Sequence, residues 1–463
     1  MENKRKIRRR DFLRKLGIGA LGSAAMMTAG PLLGFTTEEN ERRKGMGGFN
    51  SPANQADSMT YRINRRTGDK VSLLGYGCMR WPSKPGTHEL DQDKINELVD
   101  YAMAHGVNYY DTAPAYGDSE IALGKAIHKY PRKSYLVATK MSNFNPKDQT
   151  REGSIAMYNN SFKRIQVDYF DYYLLHGIGM GGMKSFNERF INNGILDFLL
   201  NERKEGRIRN LGFSYHGDIA VFDYLLKQDI KWDFVQIELN YVDWKHAREM
   251  NPRNTDAEYL YNELDKRNIQ AVIMEPLLGG RLANLNQHLA DKLKAQRPND
   301  SIASWAFRYA GTMPGTLTVL SGMSIMDHLK EDLHLYSPLD PCTSSELALL
   351  DEVANVYCRY PMIPCTGCKY CMPCPFGVDI PGNFAYYNKH VNEGTMPNPS
   401  SPDYKQQVKE FLDGYDKALS DDKKAYQCQS CNNCVSHCPQ HIRIPNQMHR
   451  ISKLIDEMKK VVG

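Results

Sequence analysis

Past its first 35 residues this 463-residue chain contains no run of 18 apolar residues, so no second membrane-spanning helix is expected. It is also nearly free of net charge. The formal +5 belongs to the tip, where residues 1–15 hold eight Lys/Arg against two acids and leave the remainder near −1. That balance offers a nucleic acid nothing to bind. Cysteine is sparse over most of the length: of eleven, only Cys78, Cys342 and Cys358 lie outside two tight C-terminal runs. A disulfide framework would spread them more widely, and those three read as small buried hydrophobes. What remains, 41% hydrophobic and 24% charged residues, is ordinary for a soluble globular protein long enough for more than one domain.

The basic tip reads as an address. Arg9 and Arg10 precede Asp11, Phe12, Leu13 and Arg14, then a mildly apolar Gly/Ala-rich stretch runs to about Phe35. This resembles a twin-arginine export signal, with Arg8 where Ser or Thr usually stands. An ordinary secretory signal or short membrane anchor is the alternative, and no clean A-x-A site marks a cleavage point. The expected location is the periplasm, with membrane contact only through this segment and attachment persisting if it is not cleaved. Residues 36–58 are polar, contain glycine and lack periodicity, so they read as a linker.

From residue 59 the pattern becomes regular. A hairpin turning near Thr67-Gly68 leads into VSLLGYG, after which helical stretches alternate with VNYYD, YLVATK, FDYYLLH, IRNLGFS, DFVQIEL, IQAVIM and LTVLSG. That makes eight strands by about residue 322 and predicts a closed (β/α)8 TIM barrel over 59–340.

Three of these strands end on ionisable residues: Asp111, Lys140 and His176, with Tyr116 in the first loop, DTAPAYGDSE. Singly, each has a bland reading as a turn residue, a solvated lysine, a satisfied histidine or a packing ring. Jointly they collect at the C-terminal mouth of the barrel, where such folds place their chemistry. Gly177, Gly179 and Gly182 spell G-x-G-x-x-G. A dinucleotide fingerprint would also need an acid at a strand end some twenty residues on. Glu202 falls near that distance but inside a helical stretch, so the glycines read as a flexible barrel loop.

The tail, 341–463, is helical and built around cysteine. Cys428, Cys431, Cys434 and Cys438, followed by Pro439, reproduce C-x2-C-x2-C-x3-C-P, the ferredoxin spacing for a four-iron cluster. In that pattern the fourth cysteine often ligates a neighbouring cluster. A neighbour is offered by Cys365, Cys368, Cys371 and Cys374, although its last gap is one residue shorter. Structural zinc prefers two separated pairs, so the expectation is two [4Fe-4S] clusters in a small α-helical, dicluster ferredoxin-like domain. Twin-arginine export carries folded proteins, which suits such a cofactor.

On these motifs the first module resembles the aldo/keto reductase family over 59–340, with a ferredoxin-type domain over 358–445. The resemblance implies that Tyr116 is the general acid, that Lys140 lowers its pKa, that Asp111 pairs with Lys140 and that His176 holds the substrate carbonyl. It further implies a nicotinamide, NADP or NAD, with its carboxamide held by Ser214 and Gln236. The phosphate-side loop would be Leu277 and Gly279, and the adenosine end Gly322, Ser324, Glu331 and Asp332. Three departures stand out: Met274 replaces the stacking aromatic, Tyr215 a usual Asn, and Asp332 a closing Asn, with His328 near the place of a 2′-phosphate arginine. A small carbonyl or alcohol is the implied substrate and a redox protein a candidate partner. An iron-sulfur electron-transfer or partner-binding protein whose barrel is not catalytic remains the alternative. Trp81, Tyr215, Tyr241 and Trp244 read either as a pocket lining or as packing.

Overall fold

A computed structural model describes residues 58–463, so the export segment and nearly all of the linker lie outside the described residues. Contacts divide the chain into two compact units: one runs up to Gly279 and resumes over Ala306–Ala348, and the other comprises Gly280–Trp305 and Leu349–Gly463.

The first unit is the barrel. A two-stranded hairpin, β1 (Tyr61–Ile63) and β2 (Lys70–Ser72), precedes eight parallel strands: β3 (Leu74–Gly77), β4 (Tyr109–Asp111), β5 (Leu136–Met141), β6 (Phe170–Ile178), β7 (Ile208–Tyr215), β8 (Phe234–Glu238), β9 (Gln270–Met274) and β10 (Thr316–Ser321). They close in chain order, with β10 pairing β3. The hairpin turns where expected, Gly68 taking φ +75 and donating its N–H to the Asn64 carbonyl at 2.8 Å. Every residue of β5 and β6 is buried, as strands covered on both faces must be.

The barrel's interior is filled. Tyr109, Tyr172 and Phe234 meet edge-on at 5.0 Å between successive centroids, alongside Leu174, Val272 and Leu317. Gly75 is required there: a Cβ would come within 2.7 Å of Thr318 Oγ1 and 2.9 Å of Leu320 Cδ2. The lower end is plugged by the hairpin, whose buried Asn64 donates to the Tyr172 hydroxyl at 2.8 Å and to Asn210 Oδ1 at 3.2 Å. Helices wrap the outside with the caps their sequences announce: Asp91 accepts from Lys94 N, and Thr150 from Gly153 N.

The second unit is helical. Ile380–Glu393, Tyr404–Ala418 and Ile444–Val462 pack around Phe384, Phe411, Tyr415, Met448 and Ile451. Two of these helices begin alike. Each starts with Ile-Pro, six residues beyond the last cysteine of a run, as in Cys374 to Ile380 and Cys438 to Ile444. Proline suits the first turn of a helix, where its missing N–H is no loss. The chain thus repeats one cysteine-loop-helix unit.

Candidate active site

Parallel strands bring the ionisable residues to one end of the barrel. Asp111 closes β4, Lys140 is penultimate in β5, His176 lies in the last turn-ward residues of β6, and Tyr116 ends a short 3-10 turn, Pro114–Tyr116. The rest of the DTAPAYGDSE motif holds that turn in place. Thr112 and Ser119 share a hydrogen bond of 2.8 Å, and Ser119 Oγ also donates to the Cys78 carbonyl at 2.8 Å. Buried Glu120 accepts from Thr139 Oγ1 at 2.7 Å and pairs with Arg164 Nε at 3.1 Å, while Arg164 also donates to the Gly117 carbonyl.

Lys140 is the centre of the site. Its fully buried ammonium donates to Asp111 Oδ1 at 2.5 Å and to the Thr112 carbonyl at 2.8 Å, and lies 5.0 Å from the Tyr116 ring centre. Burial opposes its charge, but Asp111 and the hydrogen bond with Tyr116 outweigh burial and raise its pKa. The Asp111 carboxyl is pushed up by burial and pulled back by Lys140 and Gln236. Burial likewise lifts the Tyr116 phenol. Lys140 pulls it down as expected, yet the net direction is upward. His176, packed edge-on to Tyr116 at 5.7 Å, is held well below its ordinary pKa by burial and by the cations around it, so its imidazole is neutral.

The ion pair has a consequence for stability. In Lys140→Met, Asp111 keeps only Gln236, at 3.3 Å, as a polar partner for its other oxygen. An uncompensated buried carboxylate costs about 3–5 kcal/mol. Thermal denaturation should therefore show a large loss for the single variant, and Asp111→Asn added to it should recover much of that loss.

Residues placed by the resemblance around a nicotinamide fall into two groups. Ser214 and Gln236 are buried and paired across β7 and β8, Ser214 Oγ accepting from Gly177 N at 2.9 Å and Gln236 donating to Asp111. They adjoin the Lys140 cluster. Leu277 and Gly279 lie in the loop after β9, with Gly279 at φ +68. Gly322 and Ser324 follow β10, exposed and half-buried, and the helix Met326–Leu335 carries Glu331 and Asp332. Asp332 turns inward: it is buried, hydrogen-bonds Ser321, and burial pushes its carboxyl up to about 7. Glu331 is half-buried.

The glycines of the G-x-G-x-x-G run serve the loop geometry. A Cβ on Gly179 would come within 2.7 Å of the His216 carbonyl. Trp81, Tyr215, Tyr241 and Trp244 are all buried, as packing residues are. Three other apolar side chains just beyond β3, β5 and β6 are exposed: Met79, Phe144 and Met180.

Sequence reasoning passed over Ser142, whose Oγ lies 2.7 Å from His176 Nδ1, and Arg189, which donates to the His176 carbonyl at 2.6 Å. Strand alternation was the available signal for Ser142, since positions 140 and 142 share a face. Nothing in the helical run around Arg189 marks it.

In the second unit the eight cysteines of the two runs gather around two cavities. One is lined by Cys365, Cys368, Cys371 and Cys438 together with Pro381, Ile442 and Ile444. The other is lined by Cys428, Cys431, Cys434 and Cys374, with Val378, Ile380 and Pro445, and Cys371 lines both cavities. The fourth cysteine of each run thus crosses to the other run's cavity, and the one-residue-shorter gap before Cys374 does not prevent it. Burial and neighbouring thiols push Cys371 up and Cys434 to about 11. Four converging thiolates of this kind need a cationic core to hold them ionised. The donor set fits iron–sulfur ligation.

A closed eight-stranded barrel with a tyrosine, a lysine, an aspartate and a histidine at its C-terminal mouth defines an oxidoreductase of the barrel type. Residues 73–355 match the aldo/keto reductase family, and residues 364–443 match a 4Fe-4S dicluster domain. The protein belongs to the aldo/keto reductase family and carries a ferredoxin-like 4Fe-4S domain. It is 26% identical over 314 residues to the L-galactose dehydrogenase of Arabidopsis thaliana, covering 63% of this chain and 94% of the relative. With the NADH-specific methylglyoxal reductase of Escherichia coli it shares 25% identity over 310 residues, 57% of this chain and 89% of that one. Among solved structures, an aldo-keto reductase of Bacillus halodurans in its holo form superposes with a TM-score of 0.50 at 22% identity. That match covers 64% of this chain and 96% of the other, a likeness of fold.

Proposed function

We propose that the barrel interconverts a carbonyl and an alcohol with a nicotinamide, NADP or NAD, and that two [4Fe-4S] clusters exchange electrons with a redox partner protein. One observation carries the reading: the Lys140 ammonium is buried between Asp111 and Tyr116 at the strand ends. A bound nicotinamide supplies the hydride, and the clusters supply one-electron transfer.

In the direction of reduction, Tyr116 gives its hydroxyl proton to the carbonyl oxygen as that oxygen gains charge. Lys140 stabilises the phenolate left behind, and Asp111 keeps the ammonium in place. Neutral His176 donates to the same oxygen and orients it. Ser214 and Gln236 would hold the carboxamide, Leu277 and Gly279 the phosphate side, and Gly322, Ser324 and Glu331 the adenosine end, with inward-turned Asp332 bracing that end through Ser321. Exposed glycine at 279 and 322 leaves room for a phosphate to approach the backbone there. In the crossed cysteine sets, Cys365, Cys368, Cys371 and Cys438 would hold one cluster and Cys428, Cys431, Cys434 and Cys374 the other. The Arg9-Arg10 signal would deliver the loaded protein to the periplasm, which cell fractionation tests.

Anaerobic purification provides the main test. About eight irons per chain are expected for two four-iron clusters, and mass analysis should identify the nucleotide released on denaturation. Addition of a reducible carbonyl to the dithionite-reduced protein should reoxidise the clusters. Clusters that stay reduced would remove the electron link, and failure to reduce any carbonyl with either nucleotide would remove the enzymatic reading.

A further inference from the structure

Side chains from two elements clamp His176. After β5, Ser142 Oγ lies 2.7 Å from Nδ1, and the Phe144 ring lies 5.1 Å from the imidazole centre. From the π-helical turn Asn187–Ile191, Arg189 donates to the His176 carbonyl at 2.6 Å and sits over Phe144, 4.4 Å from its ring centre. Asn143 ties the two elements together. It accepts from Arg189 Nε at 3.2 Å and donates to the Arg189 carbonyl at 2.9 Å.

Arg189 is 2% exposed, and among the described residues no carboxylate pairs with it. A buried cation left without a counter-anion is costly, so its place in the wall of the site calls for a role. The charged and titratable groups facing His176 are Lys140 from β5, Arg189 from the π turn, His216 from the loop after β7 and Tyr116 from the loop after β4. None of these is a carboxylate, and the environment disfavours an imidazolium.

The tautomer follows from hydrogen-bond accounting. Ser142 is buried, and among the described residues His176 Nδ1 is the one partner of its hydroxyl. Were the hydroxyl to accept from Nδ1–H, its own proton would be buried with no acceptor. Donation to Nδ1 satisfies both groups. A neutral ring that accepts at Nδ1 carries its hydrogen on Nε2, the nitrogen left for substrate.

We propose that Ser142 and Arg189 are positioning residues that lock His176 as the neutral Nε2–H tautomer, so that Nε2 donates to the substrate's carbonyl oxygen. The proposal rests on the carbonyl-reducing reading of the site.

The test is 15N NMR of histidine-labelled full-length protein, with His176 assigned through the His176→Gln spectrum, alongside turnover. Wild type should show a protonated Nε2 and no titration of His176 from about pH 8 to about pH 6, across the range where an ordinary histidine charges. Ser142→Ala should mix the tautomers and lower kcat by up to roughly a hundredfold, the scale of a misplaced catalytic group, and Ser142→Thr should restore both. Arg189→Met should let His176 titrate and add an acid-side fall in kcat, which Arg189→Lys should suppress. A protonated Nδ1 in wild type, or Ser142→Ala with the wild-type tautomer and kcat, would overturn the proposal. Failure of the carbonyl reading itself would look different: an intact tautomer signature with turnover indifferent to Tyr116.

Discussion

Tyr116→Phe should lower carbonyl reduction by roughly a thousandfold, within the span that general acid catalysis contributes. The substitution removes one oxygen and keeps the ring that packs on His176 and under Lys140. Thermal stability and nucleotide retention should therefore hold while kcat collapses. The pH profile gives a second reading. Reduction needs the protonated phenol, and burial raises that phenol above its ordinary value while Lys140 pulls it partly back. The rate should stay level through neutral pH and fall only on the alkaline side. Turnover of Tyr116→Phe near the wild-type rate would mean that the proton comes from another group.

The crossed cysteines predict which pairs of substitutions share a cluster. Cys438→Ser should empty the site formed with Cys365, Cys368 and Cys371, leaving about half the iron if each site holds one four-iron cluster. Adding Cys365→Ser should then change little, because both residues serve the same site. Adding Cys428→Ser should remove nearly all the iron, because that residue lines the other cavity with Cys374. The opposite pattern, with Cys428 silent and Cys365 additive, would place each run around its own cluster. Iron analysis of the three anaerobically prepared variants distinguishes the two arrangements.

Much of this was legible because parallel strands and ferredoxin loops obey local rules. Each barrel strand is a short apolar run, three of them carry Asp111, Lys140 and His176 at or near their ends, and the hairpin turn falls on Gly68, where a positive φ is needed. The tertiary part was not legible. Segment Gly280–Trp305 belongs with the cysteine unit although it precedes the last barrel strand. Aromatic residues in mouth loops looked equally fit for a pocket or for packing, and only burial separates Trp81 and Trp244 from exposed Phe144 and Met180. Asp332 sits at a position expected to face a nucleotide, yet its carboxyl turns toward Ser321. Arg189 reaches the site from a turn whose role depends on packing over Phe144, which no local pattern encodes.

Among the described residues the hairpin at the bottom and the packed aromatic interior close that end of the barrel, so the strand-end residues are approached from the C-terminal side. Traffic through one opening is last in, first out. If the proposed nicotinamide lies nearer the strand ends than its companion, it should enter first and leave last, and product-inhibition kinetics would read that as an ordered sequence.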